Sequence, residues 1–219
     1  ILKYPKNHNH GYNENQKCLN FLGSKKSHTM LNQRIKGLYG ITPDKDLNID
    51  LIENAIKKHD INILQYRRKA VNIKNKEEEA KKLLNLCLEY NTLFIVNDDV
   101  NLCEKVGAHG VHLGQGDIGA KSARERLGDR FIIGVTCHDS LELAIEAEQS
   151  GADYIALGAI FKSKNKPRAI HCSLSKVEEI KKYISIPIVG IGGINLENQH
   201  AVYQSGCRSV AMIDGLFMN

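Results

Sequence analysis

Short apolar segments of strand type alternate with segments of helical periodicity from residue 37 to near the end of this chain of 219 residues. The strand-type segments are almost continuously apolar, as is typical of parallel strands covered by helices on their outer side. Eight such segments, with seven helix-type segments between them, predict an α/β fold of the (β/α)8 TIM-barrel type. An open, doubly wound sheet is the alternative, but eight repeated units favour closure.

The same pattern gives the element boundaries. Strands are predicted at 37–41, 61–65, 93–96, 110–113, 131–135, 153–157, 186–189 and 209–213. Helices are predicted around 51–56 and at 77–90, 102–106, 120–127, 141–149, 174–183 and 196–205. Asp99, either Asp139 or Ser140, and Asn195 are expected to cap helices. The sequence stops at Asn219, where the eighth helix would begin, so we expect a barrel that lacks its last helix.

Residues 1–34 differ from the rest of the chain. They are rich in Asn, Lys, His, Ser and Gly, with one small apolar cluster. Such a segment cannot bury much apolar surface, which predicts a disordered extension or a linker. The barrel domain then spans residues 35–219.

Charge and composition limit the classes of partner. The net charge of +5 suits an anionic small ligand. Tryptophan is absent and the aromatic residues are scattered, which argues against a surface that stacks nucleic-acid bases. No apolar run is long enough for a transmembrane helix, and no secretory signal is visible. The six cysteines form no C-x-x-C pair and no zinc-type spacing, which favours a reducing, cytoplasmic compartment. A homo-oligomer is left open.

Polar residues follow the second predicted strand, at Gln65-Tyr66-Arg67-Arg68-Lys69. Active sites of such barrels lie at the carboxyl ends of the strands. Side chains alternate along an extended segment, so residues 65, 67 and 69 share one face. An amide, a guanidinium and an ammonium group on one face suit a polyanion such as pyrophosphate.

Two carboxylates follow the third and fourth strands. Asp98 and Asp117 stand at the ends of neighbouring strands, which lie about 5 Å apart in a sheet. Magnesium prefers one or two carboxylates together with phosphate oxygens and waters. The pair therefore predicts a magnesium site beside the polyanion site.

A second anion site is predicted at the glycine-rich turn 190–193 after the seventh strand, where small residues let backbone N–H groups approach a phosphate.

No protein nucleophile is evident, because nothing in the sequence activates Cys137 near the rim. His138 is either a general acid or base or a capping residue. His112 is expected to pack or to bind backbone.

These segments, taken in order along the chain, resemble the thiamine phosphate synthase family over about residues 37–217. The motifs that carry the resemblance are QYRRK at 65–69, FIVNDD at 94–99, GVHLGQGD at 110–117, GVTCH at 134–138, ALGAIF at 156–161 and VGIGGI at 189–194.

The resemblance implies a transferase of thiamine biosynthesis. The family joins 4-amino-2-methyl-5-hydroxymethylpyrimidine pyrophosphate to hydroxyethylthiazole phosphate and releases pyrophosphate, by a dissociative mechanism that Mg²⁺ assists. By resemblance, Asp98 and Asp117 bind the metal. Arg67, Lys69, Thr136 and Lys166 are the implied catalytic residues. The implied substrate-binding residues are Gln65, Tyr66, Arg67, Arg68, Lys69, Asn97, Thr136, Ser163, Lys164, Asn165, Lys166, Ser173, Gly192, Gly193, Ile213 and Asp214.

The chain departs from the family pattern on the thiazole phosphate side. Ser173 stands where the family commonly has glycine, and Asp214 stands where it usually has serine. A carboxylate there would repel a phosphate unless Lys162 and Lys164 screen it. Two alternatives follow: a thiazole tautomerase-like isomerase that uses His138, or a non-catalytic barrel that binds a ligand. The polar residues 1–34 are also compatible with fusion to another thiamine-pathway domain.

Overall fold

The structure is a computed structural model that describes residues 33–44, 47–69, 73–162 and 170–217. This part of the chain contains eight strands, all parallel to their neighbours. They are β1 Gly37–Ile41, β2 Ile61–Tyr66, β3 Leu93–Asn97, β4 Gly110–Leu113, β5 Ile132–His138, β6 Tyr154–Leu157, β7 Ile188–Ile191 and β8 Ser209–Met212.

The sheet closes on itself in the order of the sequence. Each strand pairs with the next, and β1 pairs in parallel with β8 from Gly37 opposite Ser209 to Gly40 opposite Met212. The predicted (β/α)8 barrel is therefore confirmed, and the open sheet is wrong.

Within the described residues, a helix follows each strand. The helices are α1 Ile49–His59, α2 Ile73–Glu89, α3 Val100–Val106, α4 Ala120–Leu127, α5 Leu141–Gln149, α6 Leu174–Lys181, α7 Gln199–Gln204 and α8 Asp214–Phe217. None of the described helices is long and apolar enough to cross a membrane.

The sequence pattern does not predict α8. This single turn begins directly after β8 and buries Leu216 and Phe217. A Cβ atom placed on Gly40 would come within 2.9 Å of Cζ of Phe217, so the phenyl ring packs against β1 where glycine leaves room. This turn covers part of the apolar flank of β1 and β8.

Local sequence explains half of the helix starts, since side-chain caps precede four of the eight described helices. The side chain of Asp99 accepts a hydrogen bond from Leu102 N, and that of Ser140 accepts one from Leu143 N, so both predicted caps are confirmed. The prediction for Asn195 is confirmed only in its hydrogen bonds, because α7 begins at Gln199 rather than at 196. Its side chain accepts from the backbone of Glu197 and Asn198, which closes a turn ahead of α7 rather than the helix itself.

Strand β7 begins two residues later than predicted. Pro187 has no N–H group to offer a neighbouring strand, and the N–H of Ile186 donates to the carboxylate of Glu148 instead. Regular pairing with β6 therefore starts at Ile188, opposite Ile155.

The core has two layers because side chains alternate along each strand. In β3, Leu93 and Ile95 point into the barrel, while Phe94 and Val96 point outward to the helices. Two of the largest fully buried side chains, Tyr39 and Tyr154, lie inside the barrel with their rings edge to face. Glycine at position 134 makes room for Tyr154, since a Cβ there would lie 2.0 Å from Cζ of its ring.

We predict that Gly134→Ala lowers the free energy of unfolding by about 1–3 kcal/mol, because the added methyl group displaces a buried ring. Urea denaturation measures the change. Gly116→Ala is the matched control, since nothing lies within 4 Å of a Cβ at that position, and we expect a change within about 0.5 kcal/mol. Equal effects of the two variants would contradict this account of the barrel interior.

Candidate active site

A cavity of about 450 Å³ opens at the carboxyl ends of the strands, and every strand contributes to its wall or its rim. Its walls are apolar on the side of β7 and β8, where Val189, Ile191 and Ala211 lie. Polar side chains line the opposite side; they are Asp44, Gln65, Arg67, Asn97, His112 and Thr136.

The loop after β1 fixes the segment after β2 in place through two hydrogen bonds. The hydroxyl of Thr42 accepts a hydrogen bond from Arg67 N at 2.9 Å, and the carboxylate of Asp44 accepts one from Lys69 N at 2.9 Å. Arg67 lines the cavity with its guanidinium 3.7 Å from Asp44. The ammonium group of Lys69 is exposed and lies 3.9 Å from the carboxylate of Asp98. Of these two predicted cations, Arg67 therefore lines the cavity, whereas Lys69 does not and is paired with Asp98 instead.

Tyr66 and Arg68 point the other way. The hydroxyl of Tyr66 donates to Glu79 on α2 at 2.6 Å, and the guanidinium of Arg68 donates to the same carboxylate. Both side chains are buried beneath α2, as the alternation of side chains along β2 requires. The structure does not bring these two predicted substrate-binding residues to the cavity.

Asp98 and Asp117 meet beyond the ends of β3 and β4, and neither of them lines the cavity. Asp98 has a φ of +62°, and its N–H donates to the carbonyl of His112 at 2.8 Å. Asp117 accepts from the N–H of Gly114 at 2.7 Å. Burial raises the pKa of Asp98, and the hydrogen bond and charge of Asp117 raise it further. A carboxyl whose ionised form is disfavoured by a neighbouring carboxylate is a donor that suits a cation.

This pair fits magnesium better than a metal held wholly by protein. Among the described residues, no group of three or more His, Cys, Asp and Glu side chains is placed to hold a metal ion. Two carboxylates leave the other positions to waters and to a phosphate-bearing ligand, which is the coordination that magnesium favours.

A chain of hydrogen bonds forms the floor of the cavity. The amide of Gln65 donates to the hydroxyl of Tyr39, which lies 2.8 Å from the hydroxyl of Tyr154. Nδ1 of His112 lies 3.0 Å from that second hydroxyl, and Nε2 lies 2.9 Å from the hydroxyl of Thr136. Burial lowers the pKa of His112 to about 4, so the ring is neutral at physiological pH.

The expectation that His112 packs is confirmed, since its buried ring stacks on that of Tyr154. Its side chain does not bind backbone in the described hydrogen bonds, because both ring nitrogens lie within hydrogen-bond distance of side-chain hydroxyls. Sequence reasoning also missed Tyr39 and Tyr154. Both lie at inward positions of predicted strands, and a buried hydroxyl needs a hydrogen-bond partner. Tyrosine at an inward-facing strand position was thus the sequence signal that could have identified these two residues.

The predicted residues of the thiazole phosphate side are only partly brought together. Ile213 and Asp214 line the cavity, whereas Gly192, Gly193 and Ser173 do not. The two glycines adopt φ values of +100° and +62°, and a Cβ on either would come within 2.5 Å of another residue. Ser163, Lys164, Asn165 and Lys166 lie outside the described residues.

Ser173 is compatible with its position. It has a φ of −67°, which any residue adopts, and its side chain caps α6 by accepting a hydrogen bond from Lys176 N. Its backbone therefore has no need of a glycine.

His138 and Cys137 do not line the cavity. The register of β5 shifts against β6 between Thr136 and His138, and His138 has a φ of +53°. Cys137 is fully buried, and burial raises the pKa of its thiol to about 12, which leaves no thiolate at neutral pH.

Comparison with known proteins agrees with the family resemblance of the sequence motifs. Residues 38–216 match the family model described as thiamine monophosphate synthase. The thiamine-phosphate synthase of Thioalkalivibrio sulfidiphilus is 43% identical over 192 residues, which are 86% of this chain and 91% of the relative. That of Nitrosococcus oceani is 42% identical over 190 residues, 85% of this chain and 88% of the relative.

The solved structure of thiamine phosphate pyrophosphorylase from Pyrococcus furiosus is similar with a TM-score of 0.76 and 34% identity. The match covers 84% of this chain and 88% of that one. A 3-hexulose-6-phosphate synthase, at 15% identity and a TM-score of 0.56, shares the fold alone.

We predict that magnesium stabilises the protein through Asp98. The pKa of this carboxyl is raised in the folded state. The folded protein therefore loses stability as the pH rises from the unfolded-state pKa through the folded-state pKa. Above that window, magnesium at about 100 times its Kd should add about 2.7 kcal/mol to the free energy of unfolding. Urea denaturation with and without the ion measures the change.

Asp98→Asn should remove this dependence and raise the stability of the metal-free protein at neutral pH. Asp129→Asn, which alters an exposed carboxylate after α4, should behave like the wild type. Equal stabilisation of all three proteins by magnesium would exclude the carboxylate pair as the site.

Proposed function

The chain belongs to the thiamine monophosphate synthase family, and on that premise we propose how its cavity performs the family's reaction. The protein is a transferase that condenses 4-amino-2-methyl-5-hydroxymethylpyrimidine pyrophosphate with hydroxyethylthiazole phosphate to thiamine phosphate and pyrophosphate. The observation that carries the proposal is that Gln65, Arg67 and Asn97 line one side of the cavity, and that Lys69 lies 3.9 Å from Asp98, which follows Asn97 and pairs with Asp117.

The pyrimidine pyrophosphate binds along the polar side of this cavity. Gln65 holds the pyrimidine, for which its buried amide retains one N–H and its carbonyl oxygen. Arg67 and Lys69 bind the pyrophosphate, and Asn97 and Thr136 offer it neutral donors. A guanidinium and an ammonium group at fixed positions recognise phosphate oxygens by charge-assisted hydrogen bonds.

Asp98 and Asp117 hold the magnesium ion. When bound, it supplies positive charge that neutralises the phosphate oxygens of the leaving group. Lys69 lies 3.9 Å from Asp98 and lowers the pKa of that carboxyl, so it favours the ionised form that a metal requires.

The reaction is dissociative. The bond between the methylene carbon and the pyrophosphate oxygen breaks with its electron pair on the oxygen, and the thiazole nitrogen then donates the pair that forms the new C–N bond. Arg67 and Lys69 stabilise the charge that develops on the leaving group. Among the described residues that line the cavity there is no cysteine or serine, and the chemistry needs no protein nucleophile.

The thiazole phosphate binds on the side of β7, β8 and α6. The tight turn at Gly192 and Gly193 and the N-terminus of α6 at Ser173 provide backbone N–H groups. Asp214 lies on this side of the cavity, so a phosphate here must be screened from its carboxylate. Lys162 and Lys164 are the proposed screen.

The two alternatives have less support. A tautomerase that uses His138 would need this side chain in the cavity, and the cavity is lined instead by His112. A non-catalytic barrel has no use for a carboxylate at Asp117 that disfavours the ionisation of Asp98 beside it. A cytoplasmic location, a homo-oligomer, a disordered extension at 1–34 and fusion to another thiamine-pathway domain stay predictions of the sequence.

The test is release of pyrophosphate from the pyrimidine substrate. We expect release only when both substrates and magnesium are present, and we expect Asp98→Ala to abolish it. Asp129→Ala, at the opposite end of the barrel, is the control and should retain the wild-type rate. If pyrophosphate is not released while the pyrimidine substrate still binds, the thiazole phosphate side is defective and the alternatives move ahead.

Adjacent arginines provide a test of the geometry. Arg67→Gln should lower kcat/KM for the pyrimidine substrate about 10²-fold, because one fixed donor to the leaving group is lost, and should leave stability unchanged. Arg68→Gln should instead lower the free energy of unfolding by about 1–3 kcal/mol, because Glu79 loses a buried partner, with kcat/KM within about threefold of the wild type. Steady-state kinetics and urea denaturation measure both. The opposite pattern would contradict the orientation of this segment.

A further inference from the structure

The hydrogen bonds on the cavity floor form one continuous chain of five side chains from five strands. It runs from Gln65 through Tyr39, Tyr154 and His112 to Thr136, with no separation above 3.0 Å. The three middle members are buried, and the ring of His112 stacks on that of Tyr154 with centroids 5.5 Å apart. Both ends of the chain line the cavity.

Counting protons restricts this chain to two arrangements. Each tyrosine hydroxyl has one proton and lies between two partners, and a neutral histidine carries one N–H. A proton without an acceptor would be costly at these buried positions, and so would two hydroxyl oxygens 2.8 Å apart with no proton between them. The protons must therefore all point one way along the chain or all point the other way.

In the first arrangement the amide of Gln65 donates to Tyr39, as in the structure. Tyr39 then donates to Tyr154, and Tyr154 donates to Nδ1 of His112. The histidine carries its proton on Nε2 and donates to Thr136. The proton of the Thr136 hydroxyl is left for a ligand, and so is the carbonyl oxygen of Gln65.

In the second arrangement every proton is reversed. Thr136 donates to Nε2 of His112, and the histidine carries its proton on Nδ1. Gln65 then accepts from Tyr39 through its carbonyl oxygen and turns its NH₂ group towards the ligand. Thr136 has only lone pairs left for a ligand.

We propose that His112 is a positioning residue whose tautomer couples the donor state of Thr136 to the orientation of the Gln65 amide. The inference rests on the proposed function, in which Thr136 meets the pyrophosphate and Gln65 meets the pyrimidine. An anionic oxygen requires a donor, so it selects the first arrangement. The carbonyl oxygen of Gln65 then faces the ring, and the site favours a ring that presents an amino group over one that presents an acceptor.

The burial of His112 supports this role. The ring is 8% exposed and each of its nitrogens faces one side-chain hydroxyl, and only a neutral imidazole can exchange donor and acceptor between its two nitrogens. An imidazolium would donate from both nitrogens and would interrupt the chain.

The test uses Gln65→Glu at pH 8, because an ionised carboxylate only accepts hydrogen bonds and so imposes the second arrangement. In protein labelled with ¹⁵N at histidine, long-range ¹H–¹⁵N correlation spectra report which ring nitrogen carries the proton. We expect His112 to carry it on Nε2 in the wild type and on Nδ1 in Gln65→Glu. Adding Tyr39→Phe to that variant breaks the chain and should return the proton to Nε2.

Two controls distinguish an effect transmitted along the hydrogen-bond chain from a general electrostatic effect of the added charge. Gln115→Glu adds the same charge at the cavity rim beside Thr136 but outside the chain, and His112 should keep the wild-type tautomer. His109, whose Nδ1 accepts from Phe94 N, is an internal reference that no variant should change. The same His112 tautomer in wild type and Gln65→Glu would overturn the proposal, and so would a change of tautomer in Gln115→Glu. No substrate is needed, so this result is independent of synthase activity.

Conservative variants provide a second measurement should Gln65→Glu not fold. Tyr39→Phe and Thr136→Val remove hydroxyls that have no contact with each other in the described hydrogen bonds. If the chain couples them, the double variant should lose less in kcat/KM for the pyrimidine substrate than the product of the single losses, by about threefold or more. Tyr90→Phe, whose hydroxyl binds Glu53 outside the site, should combine multiplicatively with Thr136→Val. Multiplicative losses for Tyr39→Phe and Thr136→Val would contradict coupling.

Discussion

Closure of eight parallel strands directs alternate side chains into the barrel and brings all carboxyl ends to one rim. Every functional group described above takes its place from this geometry. Gln65 and Arg67 face the cavity because they are two residues apart, and Tyr66 and Arg68 face α2 for the same reason. A strand shifted by one residue would exchange the two sets.

The electrostatics of the rim depend on what the barrel places side by side. Asp117 raises the cost of ionising Asp98, whereas Lys69 partly offsets it. Arg67 is similarly balanced by Asp44 on the loop after β1. Opposite charges are thus arranged before any ligand binds, so that a polyanion and its cation find fixed partners. The same arrangement needs no protein nucleophile.

Much of this could be predicted from local sequence. The alternation of apolar strands and helices was sufficient for the barrel, and the order of polar residues after β2, β3 and β4 was sufficient for the cations and the carboxylate pair. Asp99 and Ser140 were identifiable as caps by their position before apolar helical segments. Each of these signals lies in a short stretch of sequence. Closure of the barrel only brings these stretches together at one rim.

The remaining features depend on contacts between distant parts of the chain. The floor joins Tyr39 to Tyr154 and His112 to Thr136 across separations of 115 and 24 residues, and no local pattern specifies such partners. The turn α8 is stabilised by packing of Phe217 on Gly40 rather than by its own length. Ser173 could be judged only from its backbone angle, which showed that glycine is not required.

The central claim is that the strand-end cavity is a pyrophosphate site completed by magnesium at Asp98 and Asp117. Isothermal titration calorimetry with inorganic pyrophosphate, with and without magnesium, tests it most directly once the complex of the two in solution is subtracted. We expect magnesium to tighten pyrophosphate binding by about tenfold or more, and we expect Asp98→Ala to remove this gain while weak binding through Arg67 persists. Equal affinity with and without magnesium in the wild type would contradict the claim.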